Sequence, residues 1–357
     1  MKRVLITGAG GTPSTNFVRS LRDTSEPFHL IGADCSKYYL QRAETDERYL
    51  VPEADEPDYL DVLRDLIKET GAELVYSQPD PEIHQISLHR DDLGIRTYLP
   101  DHRTIEICHD KYESFRRWKD GGLTVPDTIL VETERDLERA FQQYGSPIWL
   151  RATVSPGGGK GSFRAADLRT ARAWLEFCLG WGKFTAAECL RSDSVTWTSL
   201  WDRGELVVAQ GRKRLYWEFG NRAPSGVTGI TGTGVTVSDP VVDDIGLKSV
   251  MAIDPKPHGI FAVDLTYDNR GVPNPTEINI GRFFTTHYFF TKAGLNLPHL
   301  FVKLAFGEPL PPLPQKINPL PPGLAWIRGM DFLPVLTTVD KIEAAVAELQ
   351  SRRHRQR

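Results

Sequence analysis

Three short apolar runs near the N-terminus, each followed by glycine or polar residues, have the length and composition of buried strands. They are residues 4–6, 30–33 and 74–77. Between these runs, Phe17, Val18 and Leu21 recur at helical spacing, and residues 59–69 form an amphipathic segment. Strand and helix patterns that alternate in this way predict a doubly wound parallel sheet with helices on both faces.

The pattern changes after about residue 104, where a helix is predicted to begin at Lys111. The next predicted elements are a strand at 129–131, a helix at 134–144 and a strand at 148–151. From the glycine-rich segment that follows to about residue 236, the pattern is mostly strand-like. Two later apolar runs, residues 260–265 and 276–278, are joined by an Asp-Asn-Arg-Gly segment, which predicts a hairpin.

The length of 357 residues exceeds what one hydrophobic core usually serves, so two or three domains or lobes are expected. The boundaries that we predict divide the chain into residues 1–104, 105–190, 191–310 and 311–357. The proline-rich residues 309–322 are predicted to cross the surface, because Trp326 and Phe332 follow them and need burial. The last segment is therefore expected to pack on the core.

The composition is that of an ordinary soluble globular protein, with 40% apolar and 25% charged residues. A formal charge of −4 provides no overall field for nucleic acid or an anionic membrane, and no stretch approaches membrane-spanning length. The four cysteines are dispersed without a CxxC pair, which argues against a cysteine zinc site or a secreted disulfide framework. We therefore expect a cytoplasmic protein without nucleic-acid or membrane partners. The basic tail, residues 352–357, is predicted to be a frayed helix end.

The first glycine cluster imitates a dinucleotide-binding turn. Gly8 and Gly10 follow the first strand and Asp34 closes the second, as in folds that place pyrophosphate at a helix N-terminus and ribose against a carboxylate. Pro13 stands where the third glycine of that motif is required, and no Tyr-x-x-x-Lys pair appears in the next hundred or so residues. An NAD(P)-dependent oxidoreductase or epimerase is therefore an alternative, and a tight turn in a doubly wound sheet is preferred.

Four further features, each weak by itself, occur in an order that predicts an ATP site. They are Lys111 at a helix start; Arg151 at a strand end before Gly157, Gly158, Gly159 and Lys160; Glu188 before Cys189 and Leu190; and Glu277 with Asn279 after the hairpin. The N–H groups of a glycine loop can approach phosphate oxygens closely while neighbouring cations neutralise them. Glu188 and the backbone after it suit the adenine edge, as a hinge between two lobes does.

This order of features resembles the ATP-grasp superfamily, and Arg151 in place of the lysine of many members resembles its carbamoyl-phosphate-synthetase-like branch. The resemblance covers about the first three hundred residues. It implies an α/β fold in which a doubly wound pre-ATP-grasp domain precedes a two-lobed ATP-grasp α+β module, with ATP between the lobes. It also implies phosphate contacts at Lys111 and Arg151 and adenine contacts at Glu188 and Leu190.

The same resemblance implies magnesium ligands at Asp264, Glu277 and Asn279. The residues support this independently, because Mg²⁺ prefers hard oxygen ligands. Glu277 and Asn279 are two residues apart on one predicted strand, so they point to the same face. In many members of the family, Pro-Arg directly follows this asparagine. Here the arginine, Arg282, stands one place later, and we predict that it contacts the acyl phosphate.

Two substrate contacts are predicted less directly. Asp193 or Ser194 stands where the family usually has a ribose-binding glutamate. Arg222, together with the basic residues 212–214 and the loop at 225–229, lies where the resemblance implies that the acyl and acceptor substrates approach. The alternative for these basic residues is a solvated strand face.

The resemblance implies a carboxylate-amine or carboxylate-thiol ligase that uses ATP with Mg²⁺, or Mn²⁺ in its place. Such an enzyme activates a carboxylate as an acyl phosphate and transfers the acyl group to an amine or another nucleophile, releasing ADP and phosphate. The expected partners are a small-molecule carboxylate and a nucleophile, with a homodimer left open. A nucleotide-binding protein without turnover is the second alternative.

Overall fold

The computed structural model describes residues 1–154, 161–223, 225–226, 230–329 and 335–355. These residues form three β-sheets with helices packed on them. Within the described ranges, no helix has both the length and the apolar character that crossing a membrane requires.

The N-terminal sheet has five strands: β1 (Lys2–Thr7), β2 (Phe28–Asp34), β3 (Glu47–Leu50), β4 (Leu74–Tyr76) and β5 (Arg96–Thr97). Its helices are α1 (Thr12–Arg22), α2 (Lys37–Leu40), α3 (Tyr59–Thr70), α4 (Asp80–Leu88) and α5 (Arg90–Leu93). The strand order is β3-β2-β1-β4-β5, and every pairing is parallel. Central β1 is fully buried at Val4, Leu5 and Ile6. The predicted doubly wound parallel sheet is therefore confirmed.

Two helices lead out of this sheet: α6 (His102–His109) and α7 (Lys111–Asp120). Asp110 lies between them and caps α7, because its carboxylate accepts hydrogen bonds from the Tyr112 and Glu113 amides at 2.9 and 3.1 Å. The amide of Lys111 donates to the carbonyl of Thr153 at 2.8 Å. Lys111 is thereby fixed at the first turn of α7, next to the end of the strand that carries Arg151.

A small antiparallel sheet follows, with β6 (Thr128–Val131), β7 (Ile148–Ala152), β8 (Ser162–Ala165) and β9 (Phe184–Glu188) in the order β6-β9-β7-β8. Helices α8 (Glu134–Tyr144) and α9 (Leu168–Phe177) cover it. Helix α9 interrupts the stretch that the sequence predicts as mostly strand-like, because Ala171 and Leu175, one helical turn apart, pack into the core of this sheet. We call residues 128–188 the small lobe.

The large sheet is antiparallel and contains β10 (Ser194–Asp202), β11 (Glu205–Trp217), β12 (Thr231–Val237), β13 (Gly259–Tyr267), β14 (Pro273–Ile280) and β15 (Ala325–Ile327). Their order is β14-β13-β10-β11-β12-β15. A 3₁₀ turn (Gly220–Arg222) and helices α10 (Pro240–Ile253), α11 (Tyr288–Lys292) and α12 (Leu297–Ala305) accompany them. The predicted β13–β14 hairpin is present, and the carboxylate of Asp268 closes its turn by accepting from the Arg270 and Val272 amides.

The C-terminal segment returns to the core. Ile317 pairs with Ala209, and the half-buried Trp326 stacks on Phe289. The last helix, α13 (Val339–Arg355), packs against α2 and β3. The expected fraying of the tail is wrong at Arg352, whose side chain is 4% exposed and pairs with Glu69 at 2.5 Å. Phe332 lies outside the described residues.

The buried side chains show which parts of the chain are packed together. Two large apolar clusters each combine residues of the N-terminal sheet with residues of the large sheet. The small lobe has an apolar cluster of its own. The N-terminal and large sheets therefore form one packed body, and the small lobe is attached to it as a separately packed unit.

Candidate nucleotide-binding and active site

A cavity of about 940 Å³ lies between the small lobe, the large sheet and the start of α4. Eight of the predicted site residues line it: Lys111, Arg151, Glu188, Leu190, Asp264, Glu277, Asn279 and Arg282. Basic side chains outnumber carboxylates along its wall, although the whole chain carries a net charge of −4. The cavity is thus locally suited to an anionic ligand.

The predicted magnesium ligands are brought together by the β13–β14 register. Asp264 lies directly opposite Glu277, and Asn279 is two residues further along the same face. One carboxylate oxygen of Asp264 accepts from the Asn279 amide at 3.2 Å, and the other accepts from the Thr196 hydroxyl at 2.5 Å. Three oxygen-bearing side chains therefore converge at one point of the cavity wall.

Glu277 is held by cations from two other elements. Arg151 Nη2, on β7 of the small lobe, lies 2.5 Å from Glu277 Oε2, and Lys111 Nζ lies 3.5 Å from Oε1. Burial alone raises the pKa of Glu277, but Arg151, Lys111 and Arg282 outweigh it and lower that pKa to about 2. Glu277 is consequently ionised throughout the physiological range.

Arg282 is positioned by a residue that sequence reasoning missed. Its guanidinium donates to both oxygens of Asp80 at 2.6 and 3.1 Å and to the Asn279 side-chain oxygen at 2.8 Å. Asp80 begins α4, just after the carboxyl end of β4. Carboxyl ends of parallel strands are where open α/β sheets place their sites, and this rule marks the segment after β4 without singling out Asp80.

Two buried arginines on β11 also face the cavity. Arg212 is 2% exposed, and its described hydrogen-bond partners are the hydroxyls of Thr196, Thr231 and Thr286. Burial, together with the neighbouring charge of Arg214, lowers the pKa of Arg212 to about 9. Among the described residues, no carboxylate lies within ion-pair distance of Arg212. The buried guanidinium of Arg212, whose described hydrogen-bond partners are neutral hydroxyls, is therefore suited to bind an anion.

The predicted adenine contacts lie at the rim of the small lobe. Glu188 is the last residue of β9, and Cys189 and Leu190 continue along the cavity wall. Asp193 is not part of that wall. Its carboxylate instead pairs with Arg191 at 2.5 Å and Lys213 at 3.7 Å.

Two other predicted contacts receive no support from the described geometry. Arg222 is exposed, is not part of the cavity wall, and its guanidinium lies over the ring of Phe219 at 5.1 Å. Gly157, Gly158, Gly159 and Lys160 lie outside the described residues.

The first glycine turn is filled by the chain itself. A Cβ atom on Gly10 would lie 1.8 Å from the carbonyl oxygen of Tyr39, so the backbone of α2 packs directly on the turn. The carboxylate of Asp34 accepts from the amides of Gly10 and Ser36 at 3.0 and 2.8 Å. Both features that suggest a nicotinamide cofactor are used for internal packing, which favours the alternative of a tight structural turn.

Residues 4–97 match the family model described as the PylC-like N-terminal domain. None of the curated proteins matches the sequence. The fold is similar to the biotin carboxylase domain of the Hydrogenobacter thermophilus 2-oxoglutarate carboxylase, solved with MgADP, ADP and bicarbonate. The two chains are 17% identical, the match covers 91% of this chain and 73% of that one, and the TM-score is 0.68.

Two other solved structures show the same architecture. The N5-carboxyaminoimidazole synthetase from Staphylococcus aureus, complexed with ADP, is 16% identical, with coverage of 87% and 78% and a TM-score of 0.63. The L-amino acid ligase from Bacillus licheniformis is 14% identical, with coverage of 85% and 74% and a TM-score of 0.66. The chain has an ATP-grasp fold. The fold class predicted from the sequence is thereby confirmed.

The ATP-grasp fold implies a magnesium site, and the residues present fit one. Asp264 and Glu277 offer carboxylate oxygens and Asn279 an amide oxygen, all on one face of a hairpin. Hard oxygen donors of this kind are what Mg²⁺ and Mn²⁺ take in proteins. The cations around Glu277 also keep it ionised, as a metal ligand must be.

Proposed function

We propose that this ATP-grasp protein is a ligase that activates a carboxylate with ATP and transfers the acyl group to a nucleophile. One observation carries the proposal: an oxygen-donor set on the large sheet faces cations of α7 and the small lobe across a single cavity. The known structures that share the fold bind ADP, MgADP or bicarbonate, or are named as a ligase, which supports the proposal without deciding the substrate.

Positioning and charge neutralisation supply the catalysis. When bound by Asp264, Glu277 and Asn279, Mg²⁺ supplies positive charge that offsets the charge of the phosphate oxygens. Lys111 and Arg151 neutralise the transferring phosphoryl group, while Glu188 and Leu190 hold the adenine edge. Arg282, fixed by Asp80, faces the same region. We assign no step to Arg222 or Asp193, and their roles stay predictions.

The chemistry proceeds in two balanced transfers. A carboxylate oxygen attacks the γ-phosphorus, the bond to the bridging oxygen breaks, and ADP leaves. The amine or thiol then attacks the acyl carbon, and phosphate leaves with the electron pair of the acyl–oxygen bond and takes up the proton that the nucleophile loses. The small lobe, packed separately from the rest, is suited to close over the cavity and keep water from the acyl phosphate.

The substrate carboxylate is proposed to bind at Arg212 and Arg214. Arg214 donates to the Ser194 and Thr231 hydroxyls at 2.7 and 3.0 Å and lies 3.7 Å from Asp264. The two neighbouring guanidinium groups repel each other in the free protein. A substrate carboxylate bound between them and the phosphates of ATP would offset this repulsion. The nucleophile is an amine or a thiol.

A cytoplasmic location and a homodimer complete the proposal. All four cysteines are free thiols, which suits a reducing compartment. The biotin carboxylase domain that shares the fold forms a dimer in its structure, and the same assembly is proposed for this chain. Light scattering on the purified protein tests it, and a monomeric mass would contradict it.

The first test is the identity of the products. A screen of carboxylates with amines or thiols, followed by mass spectrometry of the product, is expected to find a pair that releases ADP and phosphate in equal amounts. Malachite-green and AMP assays distinguish the two activation chemistries. Stoichiometric AMP and pyrophosphate would show that the carboxylate is adenylated instead. No ADP release with any pair would favour a nucleotide-binding protein without turnover.

MgATP is expected to raise the melting temperature by several degrees, because a ligand that binds only the native state stabilises it by mass action. NADH and NADPH are expected to have no effect, since Tyr39 packs on the glycine turn and Asp34 is hydrogen-bonded internally. Differential scanning fluorimetry with each ligand measures both. A shift with NADPH and none with MgATP would contradict the ligase proposal.

Arg212→Met is expected to raise KM for the carboxylate at least about tenfold, because a charge-assisted hydrogen bond is lost at a buried site. KM for ATP should change little, since Arg212 is not among the cations around Glu277. Arg212→Lys, which keeps the charge, is the matched control and should recover part of the affinity. Steady-state kinetics that show equal changes for both substrates would assign Arg212 a structural role.

A further inference from the structure

A cluster of histidines lies outside the cavity, where α4 packs against α6. His84 is on α4, and His102 and Glu106 are one helical turn apart on α6. One ligand atom from each of the three side chains lies within 4.8 Å of the other two. Two imidazoles and one carboxylate from two helices therefore converge on one point.

The hydrogen bonds of this cluster favour one tautomer of His102. The hydroxyl of Ser87 lies 2.9 Å from the carbonyl of His84 and 2.9 Å from His102 Nδ1. When its one hydrogen is donated to the carbonyl, the hydroxyl accepts a hydrogen bond from His102 Nδ1. In the neutral ring, Nε2 then carries a lone pair. That atom faces Glu106 Oε1 at 3.5 Å, which is longer than an ordinary hydrogen bond. A divalent cation bound between this lone pair and the carboxylate would satisfy both groups.

We propose that His84, His102 and Glu106 bind a divalent transition-metal ion, with Zn²⁺ as the ion that fits the donors best. Zinc takes imidazole nitrogen and carboxylate oxygen at about 2.0–2.2 Å, often with three protein ligands and a water. Tetrahedral bonds of that length place neighbouring donors about 3.4 Å apart. Glu106, whose side chain is 55% exposed, has room to rotate inward to that spacing.

This site differs in chemistry from the proposed magnesium site. Asp264, Glu277 and Asn279 present only oxygen, whereas two of the three donors here are imidazoles, which Mg²⁺ does not favour. The ion is therefore a structural cation and takes no part in the transfer of the phosphoryl group. Ser87, which is hydrogen-bonded to His102, is the kind of partner that orients a histidine ligand at such sites.

The position of the site suggests what the ion stabilises. Helix α4 begins at Asp80, which holds Arg282, and α6 ends at His109, just before Asp110 and Lys111. The His109 ring lies near the His84 ring, with centroids 6.5 Å apart, and its Nε2 is 3.9 Å from Asp80. An ion that joins α4 to α6 would therefore stabilise the start of α4, which carries Asp80, and the end of α6, which Lys111 follows.

The test is metal binding to the 357-residue protein after treatment with a chelator. Calorimetric titration with Zn²⁺ in an excess of Mg²⁺ is expected to show about one tightly bound equivalent of Zn²⁺ per chain. The bound ion should also raise the melting temperature. Co²⁺ in place of Zn²⁺ should give the visible absorption of a histidine-ligated ion. No binding by the wild-type protein would overturn the proposal, because the cluster would then be a histidine–carboxylate pair alone.

Variants locate the ion. His84→Gln and Glu106→Gln should each weaken Zn²⁺ binding at least about a hundredfold, whereas Glu277→Gln should not change it. His89→Gln is the matched control, because His89 also lies beside a carboxylate, Asp92 at 3.5 Å. The melting temperature of each variant without metal shows whether it folds. If His84→Gln does not fold, Glu106→Gln, at an exposed position, still tests the assignment. Unchanged binding in Glu106→Gln and His84→Gln would overturn the assignment.

Discussion

Glu277→Gln is expected to lower the rate of ADP formation at least about a hundredfold while the protein stays folded. The substitution keeps the size of the side chain but removes one carboxylate from the oxygen donor set. It also leaves Arg151 and Lys111 without the anion that they share, so the two cations lose the partner that offsets their burial. A moderately lower melting temperature should accompany the loss of turnover.

Glu205→Gln is the matched control for this experiment. Glu205 is exposed at the start of β11, far from the donor set, and its replacement should change neither ADP formation nor stability. Asp264→Asn should resemble Glu277→Gln, because Asp264 lies opposite Glu277 in the same hairpin. Near-wild-type turnover by folded Glu277→Gln would exclude Glu277 from the donor set.

The donor set was predictable because it is local in sequence. A hairpin turn and a side-chain period of two suffice to bring Asp264, Glu277 and Asn279 to one face. The Asp110 cap and the first position of Lys111 on α7 are likewise encoded within a few residues. Local rules of this kind also account for the parallel N-terminal sheet.

Asp80 could not be found in the same way. It meets Arg282 across 202 positions of sequence, and only the packing of the N-terminal sheet on the large sheet brings the two together. The histidine cluster depends in the same way on how α4 crosses α6. No period or motif in the sequence encodes the contact between α4 and α6, which are separated by α5 and β5.

The glycine turn illustrates the opposite limitation, in which a local pattern is present but tertiary structure changes its use. Gly8, Gly10 and Asp34 stand as they do in a dinucleotide site, and β1 and β2 form as that pattern predicts. The contact of Tyr39 with Gly10 arises from α2, which the motif does not include. The residues that distinguish a cofactor site from a packed turn therefore lie outside the motif itself.

Arg151→Ala is expected to lower turnover by about 10²–10³-fold, which is the range for removing a group that stabilises charge in the transition state. Arg151 joins the small lobe to the face of β14 that carries Glu277, because its guanidinium reaches Glu277 and the carbonyl of Thr276 on that strand. In the proposed reaction the same guanidinium neutralises the transferring phosphoryl group. Loss of Arg151 should therefore weaken both the approach of the lobes and the chemistry.

Two comparisons separate these effects. Arg151→Lys keeps the charge but loses the planar fork, so its turnover should exceed that of Arg151→Ala by about tenfold while remaining below the wild type. Arg135→Ala, at an exposed position on α8 of the same lobe, should have wild-type turnover and serves as the control. ADP formation at saturating ATP measures all three. If Arg151→Lys were as inactive as Arg151→Ala, the geometry of the fork rather than its charge would be what the reaction requires. If Arg151→Ala retained full turnover, the small-lobe cation would have no part in it.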